Sequence, residues 1–180
     1  MDPSLEFLIS NIPPETAKIL EVGCGDGANL RVISSIFPQV YCEGFDPMVQ
    51  KQQINSNVAL VNGTAPERLK HYSDKAFDFV FTRSVLMYIP SWKIKETLVE
   101  ILRVGKHGLL IEQGGSKVSF SDRITIMRHT CRNLGNYQKY RCFHNFEALF
   151  KSLGIDAKIS PLPFTLGDKF WDKYGVVILT

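Results

Sequence analysis

Along the first 112 residues, short apolar runs alternate with segments whose apolar positions have helical spacing. Each run is bounded by turn residues and is short enough for a buried strand, so strands are predicted at 18–22, 40–45, 58–61, 77–82 and 108–112. Helices are predicted at 3–10, 28–37, 48–55 and 92–104. Because strands and helices alternate, the pattern indicates a parallel sheet with helices on both faces.

The C-terminal part of the chain breaks this alternation. Residues 146–153 have the apolar spacing of an amphipathic helix, and strands are predicted at 155–159 and 175–179. Only about fifteen residues separate these two strands, and two of them are prolines, so we expect a hairpin-like connection and an antiparallel last strand. Residues 1–180 are therefore predicted to form one α/β domain, a Rossmann-like, doubly wound and mostly parallel sheet of seven strands.

Composition excludes several classes of protein. The chain has 180 residues, of which 44% are apolar and 22% charged, as in a globular domain. No apolar run approaches the roughly 20 residues that span a bilayer, and the first residues lack the pattern of a signal peptide. Four scattered cysteines fit a reduced, cytoplasmic protein better than a disulfide framework. A net charge of +3 is too small to indicate nucleic acid by itself, so a nucleic-acid partner is not expected.

A glycine-rich loop, EVGCGDG at 21–27, follows the first predicted strand. Glycine lets the backbone turn tightly and approach a ligand, and the helix that follows offers unpaired N–H groups at its N-terminus. More than one class of cofactor uses such a loop. Gly23, Gly25 and Ala28 satisfy the G-x-G-x-x-A form of the dinucleotide motif, so glycine spacing alone leaves a dinucleotide open.

Features around the loop favour a different cofactor. Glu21 lies two residues before the first glycine, where its carboxylate can hold an ammonium group. Gly27 adds a third glycine at alternating spacing, and Asp26 near the helix start suits a cofactor without a pyrophosphate. Asp46 ends the second predicted strand, where it can accept hydrogen bonds from both hydroxyls of a ribose, a demand that both classes of cofactor share. The set favours a nucleoside cofactor that carries an amino acid.

Three segments in this order, ILEVGCGDGANL, YCEGFDPM and FDFVFTRSVLMYIP, resemble the class I S-adenosylmethionine (SAM)-dependent methyltransferase family. The resemblance covers most of residues 18–112, and it implies SAM as the cofactor and S-adenosylhomocysteine (SAH) as the product. The positions that it assigns to cofactor binding are Glu21, Gly23, Gly25, Gly27, Asp46, Thr64 and Ala65. Pro47 and Met48 beside Asp46, and Thr82 at the end of the fourth predicted strand, are further candidates for cofactor binding. Within the family, FTRSVLMYIP and RCFHNFEALF are most similar to methyltransferases associated with nonulosonic (pseudaminic-type) acid biosynthesis.

Side chains after the fourth predicted strand are candidates for the acceptor side of the site. Arg83 and Tyr88 follow this central strand at its carboxyl end, where ligands bind in open α/β sheets. We predict that Arg83 binds substrate and that Tyr88 orients the acceptor. The alternative is structural: Ser84 caps the next turn and Tyr88 packs on the core.

The segment 114–145 is predicted to be a lid on the substrate side, because loops of this length inside a domain are usually functional. It holds six basic residues and one acidic residue, a net charge of +5, so the predicted acceptor is a small, acidic molecule. Arg128 and Arg132 are predicted to bind that acid, and His129 and His144 are the candidate catalytic bases. The alternative for the charges is a solvated face.

Other functions stay open at this level. His129, Cys131, Cys142 and His144 contain zinc-ligand types, but single-residue gaps within each pair are unlike zinc sites, so no metal is expected. The alternatives to a small-molecule methyltransferase are a non-catalytic SAM-binding or partner-binding module, a protein or RNA methyltransferase, and an NAD-binding Rossmann protein.

Overall fold

A twisted sheet of eight strands organises the described part of the chain. The computed structural model describes residues 2–50, 52–114, 118–132, 141–167 and 169–180. Its strands are β1 (Lys18–Val22), β2 (Tyr41–Asp46), β3 (Gln52–Asn55), β4 (Val58–Asn62), β5 (Phe77–Arg83), β6 (Gly105–Gln113), β7 (Lys158–Pro161) and β8 (Gly175–Leu179). Its helices are α1 (Pro3–Ser10), α2 (Ala28–Ile36), α3 (Ile94–Val104), α4 (Phe120–Arg132), α5 (Phe146–Leu153) and α6 (Lys169–Tyr174).

The strand order across the sheet is β3-β4-β2-β1-β5-β6-β8-β7. Strands β4, β2, β1, β5 and β6 are parallel, and β8 is inserted antiparallel between β6 and β7. The mostly parallel, doubly wound prediction and its antiparallel last strand are therefore confirmed. The count of seven strands is short by one, because β3 adds an antiparallel edge strand beside β4.

Two apolar clusters lie on opposite faces of the sheet, because successive strand residues point to opposite faces. On one face, residues such as Leu20 and Val80 pack against Leu98 of α3 and Phe146 of α5. On the other face, alternate residues such as Ile19 join apolar side chains of α1 and α2 in the second cluster. The central strands are buried on both sides, so their sequences are continuous apolar runs rather than alternating ones.

Two local predictions from the sequence need correction. The segment 48–55 does not form a helix: Gln52–Asn55 is β3, which pairs with β4 across a two-residue turn in which Asn57 N–H donates to Asn55 Oδ1 at 2.8 Å. Pairing with a neighbouring strand overrides a weak local helix preference here. The strand predicted at 155–159 begins three residues later, at Lys158, because Gly154 ends α5 with φ +67° and Ile155 N–H returns to Phe150 O.

Helix α2 follows β1 onto one face of the sheet, and α3 follows β5 onto the opposite face. β1 and β5 are neighbours, so the chain leaves the sheet in opposite directions at this point. A crevice opens outside the carboxyl ends of such a strand pair, where ligands bind in open α/β folds. The fold therefore places the candidate site above β1, β2 and β5.

Candidate functional site

A cleft of about 420 Å³ lies at the carboxyl ends of these strands. It brings together the glycine loop, the end of β2, the loop after β4 and the loop after β5. Of the predicted site residues, eight line it: Gly23, Gly25, Asp46, Pro47, Met48, Thr64, Ala65 and Tyr88. Residues far apart in the sequence therefore meet in one concave surface, as a small-molecule site requires.

The glycine loop forms the floor of the cleft. Gly23 and Gly25 have φ angles of +74° and +52°, a left-handed conformation that other residues rarely adopt. A Cβ on Gly23 would lie 2.0 Å from Val85 Cγ2, so this glycine lets the cleft wall sit directly on the loop. A Cβ on Gly25 would meet no atom within 4 Å, because this position faces open space in the cleft. Gly27 is the N-cap of α2 and does not line the cleft.

Asp46 connects the end of β2 to the glycine loop. Its Oδ2 accepts a hydrogen bond from Gly25 N–H at 3.2 Å, and its Oδ1 accepts one from Met48 N–H at 2.9 Å. Because a carboxylate has about four acceptor positions, these two bonds leave room for two hydroxyl donors. The carboxylate is only half-buried and faces the cleft. This position suits an acid that holds a ribose.

The loop after β4 forms another wall of the cleft. Ala65 is buried, and Thr64 is exposed, with its Oγ1 donating to Glu67 Oε2 at 3.0 Å. The other oxygen of Glu67 pairs with Lys93, which also lines the cleft. Because β2 lies between β4 and β1, Thr64 and Ala65 after β4 lie on the opposite side of Asp46 from the glycine loop. An adenine attached to the ribose would extend toward them.

Glu21 is a buried acid with unusual electrostatics. Its side chain is almost completely buried, and burial raises the pKa of its carboxyl group to about 8, although a hydrogen bond from Asn29 opposes this shift. Asn29 Nδ2 donates to Oε1 at 2.6 Å, whereas Oε2 has no hydrogen-bond partner. Buried polar atoms without a partner are costly and rare. The unpartnered oxygen beside the glycine loop is what an ammonium ligand would satisfy, directly or through water.

Arg83 lies behind Glu21 rather than in the cleft. Its Nη1 donates to Asn29 Oδ1 at 3.0 Å, its Nε donates to Ser4 Oγ at 2.8 Å, and its Nη2 pairs with Asp2. Arg83 therefore does not line the cleft, where a residue that binds substrate is expected to lie. Instead, Arg83 ties the N-terminal helix α1 to the amide that holds Glu21.

Sequence reasoning missed a second buried acid. Glu112 near the end of β6 is completely buried, and burial raises the pKa of its carboxyl group to about 7. Its two oxygens accept hydrogen bonds from Val85 N–H at 3.1 Å and Leu86 N–H at 3.0 Å. Glu112 therefore fixes the loop that forms one wall of the cleft. The signal in the sequence was an acid within the apolar run GLLIE.

The remaining predicted cofactor residue, Thr82, is completely buried in β5 and does not line the cleft. His144 is also buried, and burial lowers the pKa of its imidazole from the usual value. Its Nε2 lies 3.0 Å from both Leu86 O and Ile89 O, so this nitrogen donates to backbone carbonyls. His144 thus supports the loop after β5, and it does not reach the cleft as a base would.

The basic segment is only partly described. Arg128 and Arg132 lie on α4 with exposed side chains and are not among the cleft-lining residues. The backbone of His129 lies on the same helix, but its side chain is outside the described residues, as are Lys117 and Lys139. Within the described ranges, no group of three or more potential ligands is arranged to hold a metal ion. In those same ranges, no helix has the length and apolar character needed to cross a membrane.

The site fits SAM in three independent respects. Gly25 leaves open space beside the loop, Asp46 faces the same space with acceptor positions to spare, and Glu21 has an unpartnered buried oxygen behind it. Glu21, Asp46 and the pair Thr64 and Ala65 would hold the ammonium, ribose and adenine parts, respectively.

Comparison with known families agrees with this geometry. A family model described as a methyltransferase domain matches residues 2–118. No curated protein is similar enough in sequence to match the chain.

Solved structures share the fold at low sequence identity. A SAM-dependent methyltransferase from Archaeoglobus fulgidus is 14% identical with a TM-score of 0.65, and the match covers 99% of this chain and 91% of that one. An O-methyltransferase family protein from Burkholderia thailandensis is 11% identical with a TM-score of 0.65, covering 98% and 54%. PigF, solved with SAH, is 12% identical with a TM-score of 0.65, covering 99% and 61%. The chain thus spans about half to three fifths of the length of these last two proteins.

Proposed function

We propose that this chain, which belongs to the methyltransferase domain family, transfers a methyl group from SAM to a small, acidic acceptor. The family and fold make it a class I SAM-dependent methyltransferase, and SAM is its cofactor. The acceptor class is the part that we add. It is supported by the basic character of the segment 114–145. It is also supported by a contact near the end of this segment, where Cys142 N–H donates to Met87 O in the loop after β5.

The observation that carries the proposal is the convergence of the glycine loop, Asp46 and the loop after β5 on one cleft. When bound, SAM supplies a methyl group that its sulfonium already activates. The protein's task is then to align the acceptor with that methyl group and to remove the acceptor's proton where one must leave. Alignment alone can lower the activation barrier of such reactions by several kcal/mol, roughly 7–11 at most.

Tyr88 is the acceptor-side residue in this proposal. It lines the cleft, and its loop is fixed by Glu112 through Val85 and Leu86. Its phenol group can therefore orient an acceptor atom with little loss of side-chain freedom. The catalytic base is not His144, whose Nε2 is occupied by carbonyls. His129 stays a prediction, and its side chain lies outside the described residues.

Residues 114–145 act in this proposal as a lid over the acceptor. Helix α4 is attached to α6 through Asp122, which accepts a hydrogen bond from Lys173 Nζ at 2.6 Å and another from Tyr174. Ser119 Oγ also donates to Asp122 at 2.6 Å, which ties down the start of α4. The helix is thus anchored at one end, and Arg128 and Arg132 lie toward the other end.

An SAH-release assay over a panel of small molecules tests the proposal. The panel contains hydroxylated and aminated acids, including acidic sugars of the nonulosonic type, each paired with a neutral amide or ester. We expect SAH release above background with acids and less with their neutral partners. Turnover of neutral compounds in preference to acids would contradict the acceptor class. Tight SAM binding without turnover of any compound would instead indicate a non-catalytic binding module.

A further inference from the structure

We propose that Arg141, stacked on Tyr88 at the cleft, determines acceptor specificity by binding an oxyanion of the acceptor, a carboxylate or a phosphate. The inference rests on the proposed function and adds to it a residue and a chemical group. Arg141 belongs to the basic segment, and the structure places its guanidinium group on the ring of a residue that lines the cleft.

The contact between Arg141 and Tyr88 joins the basic segment to the cleft. The guanidinium carbon of Arg141 lies 3.9 Å from the centroid of the Tyr88 ring, well within the range of a cation–π interaction. Tyr88 itself lines the cleft. The guanidinium group of Arg141 is therefore held against a residue of the cleft wall.

The backbone around Arg141 is docked on the loop that carries Tyr88. Cys142 N–H donates to Met87 O at 2.6 Å, which fixes the residue next to Arg141. Two residues further on, the buried His144 donates from Nε2 to carbonyls of the same loop at 3.0 Å. The position of Arg141 is therefore set by backbone contacts and not only by its own flexible side chain. This docking explains why the structure buries His144, which sequence reasoning assigned to catalysis.

The other charged side chains around the cleft lie at positions that we assign to the cofactor. Lys93 also lines the cleft, but it lies with Glu67 beside Thr64, which our assignment places on the adenine side. Asp46 is on the ribose side and bonds the glycine loop. Among the residues that the structure describes, Arg141 is the cation that stacks on Tyr88.

The chemistry of arginine suits an oxyanion at this place. A guanidinium group can lie with its face on an aromatic ring while its N–H donors point outward in the plane of the group. Two such donors match the two oxygens of a carboxylate or phosphate. A lysine would keep the charge but would lose this planar, bidentate geometry. Arg141 is therefore expected to select acceptors by the shape of the anion as well as by its charge.

Three probes that differ in one group test the inference: 4-hydroxybenzoate, 4-hydroxyphenyl phosphate and the neutral 4-hydroxybenzamide. Each is titrated by NMR into the full chain saturated with SAH. We expect at least one of the two anions to bind roughly tenfold or more tightly than the amide, as charge-assisted hydrogen bonds predict. Whichever anion binds more tightly identifies the oxyanion.

The variants separate a specific contact from general charge. Arg141→Gln should abolish the preference for the anion, and Arg141→Lys should retain only part of it. Lys151→Gln, which removes one positive charge from the exposed side of α5, should leave the preference unchanged. A preference that survives in Arg141→Gln would overturn the inference. So would equal binding of all three probes to the native protein, or no binding of any.

Calorimetry with SAH on the same samples separates this inference from the proposed function. If native protein fails to bind SAH, the proposed function is wrong. If SAH binds to native protein and to Arg141→Gln with similar affinity but no anion preference is found, only the role of Arg141 is wrong. A loss of SAH binding in the Arg141→Gln variant would also contradict the inference, because Arg141 would then act on the cofactor side.

Discussion

At the scale of single residues, two acids at the ends of neighbouring strands have very different surroundings. Asp46 faces the cleft and is held by two backbone N–H groups, whereas Glu21 is buried with one unpartnered oxygen. Both were assigned from the sequence, because their spacing from the glycines is typical of the family. Their protonation could not be predicted in the same way, since it depends on burial and on Asn29.

The ribose assignment of Asp46 predicts a loss of SAM affinity in Asp46→Ala. Removing hydrogen bonds to a charged group should weaken binding by about 1.5–3 kcal/mol. Calorimetry measures this directly, and circular dichroism checks that the variant is folded. Asp74→Ala is the matched control, because Asp74 is an exposed acid that pairs with Arg103 outside the cleft. Unchanged affinity in a folded Asp46→Ala protein would reject the ribose assignment.

The raised pKa of Glu21, about 8, predicts that SAM binding depends on pH. The free protein carries the proton at neutral pH, and a neighbouring ammonium group favours the carboxylate, so binding should release a proton. SAM affinity should therefore increase as the pH rises from about 6 to 7, by about tenfold per pH unit at most.

Calorimetry at pH 7 in two buffers that differ in ionisation enthalpy counts the released protons. We expect up to about one proton for the native protein and close to none for Glu21→Gln. Affinity that is independent of pH in the native protein, with no proton release, would show that Glu21 does not meet the ammonium group.

At the scale of elements, the sequence predicted the strands and helices that have strong apolar patterns. The central strands are continuous apolar runs, and α5 has a capping Asn145 before it and Gly154 after it. The edge strand β3 was missed because QQIN has neither pattern and forms only by pairing with β4. The docking of 141–144 on the loop after β5 was also missed, since contacts between distant segments leave no local signal.

The glycine loop predicts different outcomes for two alanine substitutions. Gly25→Ala should fold, at a cost of roughly 1–2 kcal/mol for its left-handed backbone, but should lose SAM affinity because the new Cβ occupies cofactor space. Gly23→Ala should also be destabilised by overpacking, because its Cβ would meet Val85 at 2.0 Å. Urea unfolding and calorimetry distinguish the two effects. A Gly25→Ala protein that binds SAM normally would mean that the loop is only a turn.

The wall of the cleft predicts a structural role for Glu112. Glu112→Ala leaves the N–H groups of Val85 and Leu86 without their acceptors, and each unsatisfied buried donor costs about 1–3 kcal/mol. Urea unfolding should show this loss, which should be smaller in Glu112→Gln because one acceptor oxygen remains. Glu15→Ala, at an exposed turn position, is the control. Full stability of Glu112→Ala would show that the loop is held by other contacts.

At the scale of the whole molecule, the sheet explains why the site could be placed from the sequence although its acceptor side could not. The cofactor side is built from loops that each follow a parallel strand, and such loops meet at one edge of the sheet. The acceptor side that we propose depends on segments that return from elsewhere in the chain: 141–144 contacts the loop after β5, and α6 contacts α4. Their positions follow from tertiary contacts rather than from local patterns.

The lid proposal predicts separate effects on acceptor and cofactor. Replacing Arg128 and Arg132 together by Gln should raise the acceptor's KM and leave SAM affinity nearly unchanged, because neither arginine lines the cleft. Hydrogen exchange should show protection of α4 only with acceptor or product bound. A double variant that turns over acids normally would indicate that these arginines form a solvated face, and one that loses SAM binding would place them on the cofactor side.

The central claim is that the cleft between the glycine loop and Asp46 is a SAM site. Calorimetry of the native chain with SAM and, separately, with NAD under identical conditions tests it most directly. We expect saturable, one-to-one binding of SAM and no measurable binding of NAD, because Glu21 and the loop suit an ammonium group and a ribose without a pyrophosphate. Binding of NAD in place of SAM would show that the cleft is a dinucleotide site and that the SAM assignment is wrong.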